Sequence, residues 1–120
     1  MTKNQAFMAR LGFALRGIGQ AMSTENSLRT QAVAFGIVIA ALVILRPEPV
    51  WWALFGLASF AVLSAELFNT ALERLADRLH PEVHPEIRIV KDCAAGAVLL
   101  ASCGALAVAG AFVVQVFLSR

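Results

Sequence analysis

Four polar side chains recur on one face of a predicted helix near the middle of the chain. Glu66, Asn69, Glu73 and Asp77 lie in the segment SAELFNTALERLADRL. At about 100° per residue they fall within a sector of about 80° on a helical wheel. They form a stripe about 16 Å long, whose deep end is Glu66 because an uncharged run of 16 residues, 50–65, precedes it.

These residue types suit phosphoryl transfer. Acidic side chains inside a bilayer usually face a cavity or a bundle interior and mark a functional path. Carboxylates near the membrane surface can hold a divalent cation that carries a nucleotide polyphosphate, and a deeper carboxylate is a candidate general base. Asn69 can position a partner without adding charge, while Lys91 and Asp92 add a phosphate-binding cation and another acid. Together they supply the parts of a kinase site.

The helices that must position these residues are membrane spans. Hydrophobic residues make up 59% of the 120 and charged residues 15%, against roughly 45–50% and about 25% in soluble domains. Three runs carry no charge: 30–45, 50–65 and 93–119. Since a span needs roughly 17–25 residues, we predict one all-α integral membrane domain, 1–120, with transmembrane helices at 27–46, 50–78 and 88–118.

An amphipathic helix is predicted at 5–22. One apolar stripe recurs there at helical spacing: Phe7, Leu11, Leu15, Ile18 and Met22. Arg10 and Arg16 lie off this stripe. The pattern is typical of a helix lying in the membrane interface, and the alternative is ordinary packing against protein.

The positive charges predict the orientation. Lys3, Arg10, Arg16 and Arg29 precede the first span, and the loop between the second and third is flanked by Arg74, Arg78, Arg88 and Lys91. The connection RPEP carries one Arg against one Glu, and the C-terminus carries only Arg120. Positive residues favour the cytoplasmic side, so the N-terminus and the 77–91 loop are expected there, without a cleavable signal peptide.

Two candidates have simpler explanations. Glu25 falls near the start of the first span, where the helix dipole favours a carboxylate, so it could be a helix-start residue only. His80 and His84 lie four apart in HPEVHPEIR, but each is followed by proline. A helix that would place both rings on one face is therefore disfavoured, and with it metal binding.

Two motifs together resemble a known family. AELFNTALERLADRL, followed by KDCAAGAVLL, is similar to the signature of the bacterial membrane diacylglycerol kinases and the related undecaprenol kinases. ENSLRTQ resembles their E-x-x-(F/L)-R element ahead of the first span. The sequence has no P-loop, kinase Gly-rich loop or HRD-type motif, which excludes the common soluble kinases.

The resemblance implies a homotrimer in the bacterial inner membrane that uses ATP and Mg²⁺, with active sites between subunits. It implies that Glu66 is the general base, assisted by Asn69, and that Glu25 and Glu73 bind the metal. The implied ATP-binding residues are Phe13, Glu25, Glu73, Glu82, Val83, His84, Lys91 and Asp92. The implied lipid-substrate residues are Arg10, Ala14, Ser27, Arg29, Glu66 and Ala95.

The resemblance leaves the acceptor open between two lipids. Diacylglycerol, giving phosphatidic acid, is the first expectation and undecaprenol is the main alternative. Gln31, where some diacylglycerol kinases carry an acid, and the proline-rich loop both lie where they could affect this choice.

A small proton-coupled transporter or channel subunit and a purely structural subunit are the remaining alternatives. Neither has an evident need for Glu25, Lys91 and Asp92 at one face.

Overall fold

The chain folds into four α-helices in the computed structural model. The structure describes residues 3–119, with side chains from Gln5 onward, and contains no strand in that range. The helices are α1 (Lys3–Thr24), α2 (Asn26–Leu45), α3 (Pro49–Leu79) and α4 (Pro85–Leu118). The all-α prediction is confirmed. The charges of Lys3 and Arg120, which enter the orientation argument, lie outside the described side chains.

Helices α2, α3 and α4 are long and apolar enough to cross a membrane. They contain 20, 31 and 34 residues, or roughly 30, 46 and 51 Å at 1.5 Å per residue. A hydrocarbon core is about 30 Å thick. Helices α3 and α4 are therefore long enough to project beyond it, at the end where the polar stripe of α3 lies.

The helix boundaries differ from the predicted ones by two or three residues at both ends of α1 and at the start of α4, and by at most one residue elsewhere. Helix α4 begins at Pro85, one turn before the predicted start at residue 88, because His84 caps it by accepting a hydrogen bond from the Glu86 N–H (3.1 Å). Proline is favoured at the first helical position, where its missing N–H costs nothing. Helix α1 continues to Thr24, and the hydroxyls of Ser23 and Thr24 donate to the Gln20 carbonyl instead of capping α2. Only Glu25 separates α1 from α2.

Aromatic contacts fix the register of the three long helices. Phe35 of α2 lies against Phe60 of α3, with ring centroids 5.1 Å apart. Nearer the start of α3, Trp51 and Phe55 pack on Phe112 of α4, at 5.1 and 5.5 Å. The contact between α3 and α4 is the most extensive in the chain. Successive long helices are antiparallel, so the start of α2, the end of α3 and the start of α4 lie at the same end of the molecule.

Little of the apolar surface is buried inside one chain. In the most apolar windows of α2, α3 and α4, 11%, 11% and 0% of residues are buried. In α1 the predicted stripe is also uncovered, since Phe7, Leu11, Leu15 and Ile18 are 43–61% exposed. Such faces suit lipid contact or further subunits. The interfacial position of α1 and the trimer remain predictions.

Candidate active site

Glu66 is a buried carboxylate in the second half of α3. Its side chain lies on the buried face of that helix together with Val62 and Thr70, which are one turn away on either side. Only 5% of Glu66 is exposed, and it forms no hydrogen bond or ion pair with another residue among 3–119. Burying a carboxylate without a cation is costly. A catalytic role would explain why this cost is tolerated: the Glu66 carboxylate would accept a proton from a reacting group beside it.

Two more of the predicted carboxylates lie near Glu66. The negative charges of Glu73, two turns along α3, and of Glu25, at the start of α2, both act on the Glu66 carboxylate. Both neighbours are half-buried. The cluster is therefore built from two helices, with the deepest carboxylate on α3.

Asn69 connects the deep and shallow parts of the stripe. Its Nδ2 donates a hydrogen bond to Oε1 of Glu73 at 3.1 Å, the spacing of one helical turn. Its Oδ1 is buried and has no hydrogen-bond partner in the described part of the chain. Asn69 thus orients Glu73 and keeps one buried hydrogen-bond acceptor that is not used by the described residues.

Glu25 lies at the junction of α1 and α2. It is the N-cap residue of α2, with an extended backbone (φ −109°, ψ 114°), and its side chain makes no capping hydrogen bond. Side chains at this position normally accept a bond from the first-turn N–H groups. Glu25 makes no such bond, so as a helix-start residue its carboxylate can act on α2 only through the helix dipole.

The pair Glu25 and Glu73 fits a magnesium ion that arrives with a nucleotide. No group of three or more His, Cys, Asp or Glu side chains within 3–119 is placed to hold a metal ion by itself. Mg²⁺ is commonly held by one or two carboxylates, with phosphates and waters completing its shell. Two carboxylates beside a nucleotide are what such an ion requires from the protein.

A second group of predicted residues lines a cavity of about 250 Å³ between α3 and α4. Glu82, Val83 and His84 of the connecting loop face it together with Lys91. The Lys91 Nζ lies 2.5 Å from Oδ1 of Asp77, the last member of the α3 stripe. The cavity therefore lies at the shallow end of the stripe, about one turn from Glu73.

The structure does not bring every predicted residue to these two places. Asp92 and Ala95 are exposed on α4, and Ser27 is exposed in the first turn of α2. On α1, Arg10 and Ala14 are exposed, and Phe13 contacts the guanidinium of Arg16 at 5.1 Å. None of these lines the cavity of Lys91. Their assignment to ATP or lipid remains a prediction.

Arg29, predicted to contact the lipid, has a clear structural partner. Its Nη1 donates to the carbonyls of Met22 and Ser23 at the end of α1, at 3.2 and 3.1 Å, and its Nη2 to Asn26. Arg74 of α3 reaches the same end of α1 through Thr24 Oγ1, at 2.5 Å. These bonds fix the α1–α2 junction, and with it the position of Glu25.

Sequence reasoning missed the remaining residues of the loop cavity. His80, Ile87 and Arg88 line it, and Asp77 pairs with Lys91 across it. The wheel placed Asp77 on the stripe, but the 14-residue separation of this pair spans a loop whose geometry has no local signal. The opposite charges of Asp77, near the end of α3, and Lys91, near the start of α4, were the signal in the sequence that could have predicted this pair.

Comparison with known proteins relates the chain to membrane lipid kinases. A family model described as prokaryotic diacylglycerol kinase matches residues 12–113. The chain is 37% identical over 108 residues to a Synechocystis sp. protein named diacylglycerol kinase, covering 89% of this chain and 62% of that protein. It is 32% identical over 83 residues to undecaprenol kinase of Bacillus subtilis, covering 69% of this chain and 68% of the relative.

Proposed function

The chain belongs to the prokaryotic diacylglycerol kinase family, and from that premise we propose that it transfers the γ-phosphoryl group of ATP to a membrane lipid alcohol. The acceptor proposed first is diacylglycerol, which gives phosphatidic acid. The observation that carries the proposal is the buried Glu66 with Glu25 and Glu73 beside it. A transporter needs no such pair next to a cavity that Lys91 lines.

Glu66 acts as the general base in this mechanism. Its carboxylate takes the proton from the lipid hydroxyl while that oxygen attacks the γ-phosphorus. A bond forms between this oxygen and phosphorus, and the bond from phosphorus to the β–γ bridging oxygen breaks, so ADP leaves. Glu66 suits the step because it is buried at the membrane end of the stripe, which a lipid hydroxyl reaches from the bilayer.

Glu25 and Glu73 would hold the magnesium ion that accompanies ATP, and that ion would supply positive charge to the phosphates. Asn69 keeps Glu73 oriented through its 3.1 Å hydrogen bond. The buried Oδ1 of Asn69 has no hydrogen-bond partner among the described residues and can accept a hydrogen bond from the acceptor hydroxyl or from a water molecule. In this mechanism Glu66, which contacts the lipid hydroxyl, and Glu73, which binds the metal, are seven positions apart on α3.

Lys91 and the connecting loop bind the nucleotide. In the structure Lys91 is held by Asp77, which places the ammonium group at the shallow end of the stripe. From there it can donate to phosphate oxygens, and the loop residues Glu82, Val83 and His84 surround the remainder of the nucleotide. This arrangement requires ATP to enter from the cytoplasm. We therefore propose that the protein lies in the bacterial inner membrane with its N-terminus cytoplasmic. The homotrimer that the family resemblance implies is proposed with it, because the apolar faces of the helices are left uncovered in one chain.

The identity of the acceptor is the finer part of the proposal. The two relatives carry the names of kinases for different lipids, and the chain spans 62% of the length of the diacylglycerol kinase relative. Undecaprenol is consequently the second candidate acceptor. Both have one hydroxyl at the end of a long apolar body, which Glu66 could deprotonate in the same way.

The test is direct phosphoryl transfer. Purified protein in mixed micelles is supplied with radiolabelled ATP, Mg²⁺ and each lipid alcohol in turn, with Glu66→Gln as the matched control. Labelled phosphatidic acid formed by the wild type, and reduced by orders of magnitude in the control, is the expected result. Faster labelling of undecaprenol would reverse the choice of acceptor. No label in either lipid would overturn the function.

A further inference from the structure

A groove of about 370 Å³ opens on the membrane-embedded surface where α2, α3 and α4 meet. Most of its lining is apolar and many of those residues are small, such as Ala34, Ala58 and Ala105. Three lining residues are polar: Gln31, Ser59 and Ser102. They come from three different helices, so the fold rather than one sequence motif brings them together.

The groove continues the polar stripe into the membrane. On α3 the residues at 59, 62, 66, 69 and 73 follow one another at spacings of three and four, which is a single helical face. Val62 and Ser59 line the groove, and Glu66 follows Val62 by one turn. Glu66 does not itself line the groove, but a lipid whose hydroxyl meets Glu66 can extend along this face into it.

Two of the polar residues lie at nearly the same depth as Glu66. Phe35 contacts Phe60, so Gln31, four residues nearer the Glu25 end of α2, is level with about residue 64 of α3. Phe112 contacts Phe55, so Ser102 is level with about residue 65. Both lie within about 3 Å of the depth of Glu66, whereas Ser59 is about 10 Å deeper.

Neither Gln31 nor Ser102 has a partner for its side chain. Both are half-buried, and neither side chain forms a hydrogen bond with another residue in 3–119. Donors at membrane depth are costly when they remain unpaired. An occupant with hydrogen-bond acceptors close to its hydroxyl would satisfy them.

We propose that this groove holds the glycerol ester region of diacylglycerol, with the Gln31 amide and the Ser102 hydroxyl donating to the ester carbonyl oxygens. The inference rests on the proposed function and specifies the lipid that accepts the phosphoryl group. Diacylglycerol carries two ester carbonyls within a few bonds of its free hydroxyl, and the two donors lie at the depth of Glu66. Undecaprenol is hydrocarbon up to its hydroxyl and leaves both donors unpaired, which disfavours it. Ser59 lies at the depth of the acyl chains.

The experiment compares three acceptors of one enzyme in mixed micelles. They are diacylglycerol, the dialkylglycerol of the same chain length that has ethers in place of esters, and undecaprenol. Gln31→Leu and Ser102→Ala are each expected to lower kcat/KM for diacylglycerol by about two- to tenfold. They should leave the other two acceptors nearly unchanged. Ser102→Thr, which keeps the hydroxyl, should restore the preference.

Two serines provide matched controls. Ser64→Ala removes an exposed hydroxyl from the same turn of α3 as Glu66, and Ser59→Ala removes the deeper one from the groove. Both are expected to keep the wild-type ratio of ester to ether substrate.

Three results would overturn the proposal. One is an unchanged ester-to-ether ratio in Gln31→Leu and Ser102→Ala. Another is an equal loss of activity on all acceptors with a change in oligomeric state by light scattering, since the groove would then be an interface between copies. Wild-type protein that labels none of the three lipids would instead overturn the proposed function itself, and the groove assignment with it.

Discussion

Glu73 lies two helical turns from Glu66 on one face of α3, close enough for its negative charge to act on the buried Glu66 carboxylate. Asn69 lies between them and donates to Glu73 at 3.1 Å. Two carboxylates on one face without a cation repel each other, and this disfavours the isolated cluster. In the proposed mechanism, Mg²⁺ would offset the charge of Glu73 and a hydrogen bond donated by the substrate hydroxyl would offset that of Glu66, so the two ends of the pair would serve different ligands.

Glu66→Gln is expected to reduce turnover by about 10²–10⁴-fold, the usual contribution of a general base. Nucleotide affinity should remain near wild type, because the side chain faces the lipid end of the stripe. Radiolabel transfer measures the first quantity and equilibrium dialysis with an ATP analogue the second. Glu48→Gln, in the connection at the opposite end of α3, is the matched control and should keep full activity. Near-normal turnover of Glu66→Gln would remove its role as base.

Glu25→Gln and Glu73→Gln should each raise the Mg²⁺ concentration for half-maximal activity by at least about tenfold. Each removes one of the two anionic ligands proposed here. Titration of activity with Mg²⁺ at fixed ATP measures the effect. Glu86→Gln, an exposed acid of the first turn of α4, serves as the control. An unchanged titration for either variant would show that the carboxylate is not a ligand.

Asn69 is proposed as a positioning residue, so its replacement should act through the metal. Asn69→Ala leaves Glu73 free to rotate and is expected to raise the Mg²⁺ requirement by roughly tenfold, as loss of a group that orients a ligand does. The effect should be largely absent in a Glu73→Gln background, because the two changes remove the same ligand geometry. Additive effects in the double variant would instead indicate that Asn69 acts by contacting the lipid acceptor and not by orienting Glu73.

Local and long-range features of the site differ in how well the sequence predicts them. The Asn69–Glu73 contact follows from helical periodicity alone, since i and i+4 are neighbours on any α-helix. The approach of Glu25 to Glu66 joins two helices, and only the resemblance to a family suggested it. The pairing of Lys91 with Asp77 depends on a loop that ends in Pro85, and Pro85 starts α4 instead of preceding it by one turn. Proline is compatible with both outcomes, and the cap that His84 forms in the structure decides between them.

Lys91→Gln should weaken nucleotide binding much more than it weakens the fold. Loss of a hydrogen bond to a charged phosphate corresponds to about 10–100-fold in KM for ATP. The ion pair with Asp77 is solvent-accessible, with side chains 37% and 64% exposed, and pairs of this kind contribute only about 0–1 kcal/mol to stability. Kinetics at varied ATP and a thermal melt in detergent separate the two effects. Asp77→Asn is the matched variant: it breaks the same pair, keeps the ammonium group, and should raise KM less than Lys91→Gln does. If both variants raise KM equally, Lys91 acts only through its pairing with Asp77 and does not contact the phosphates.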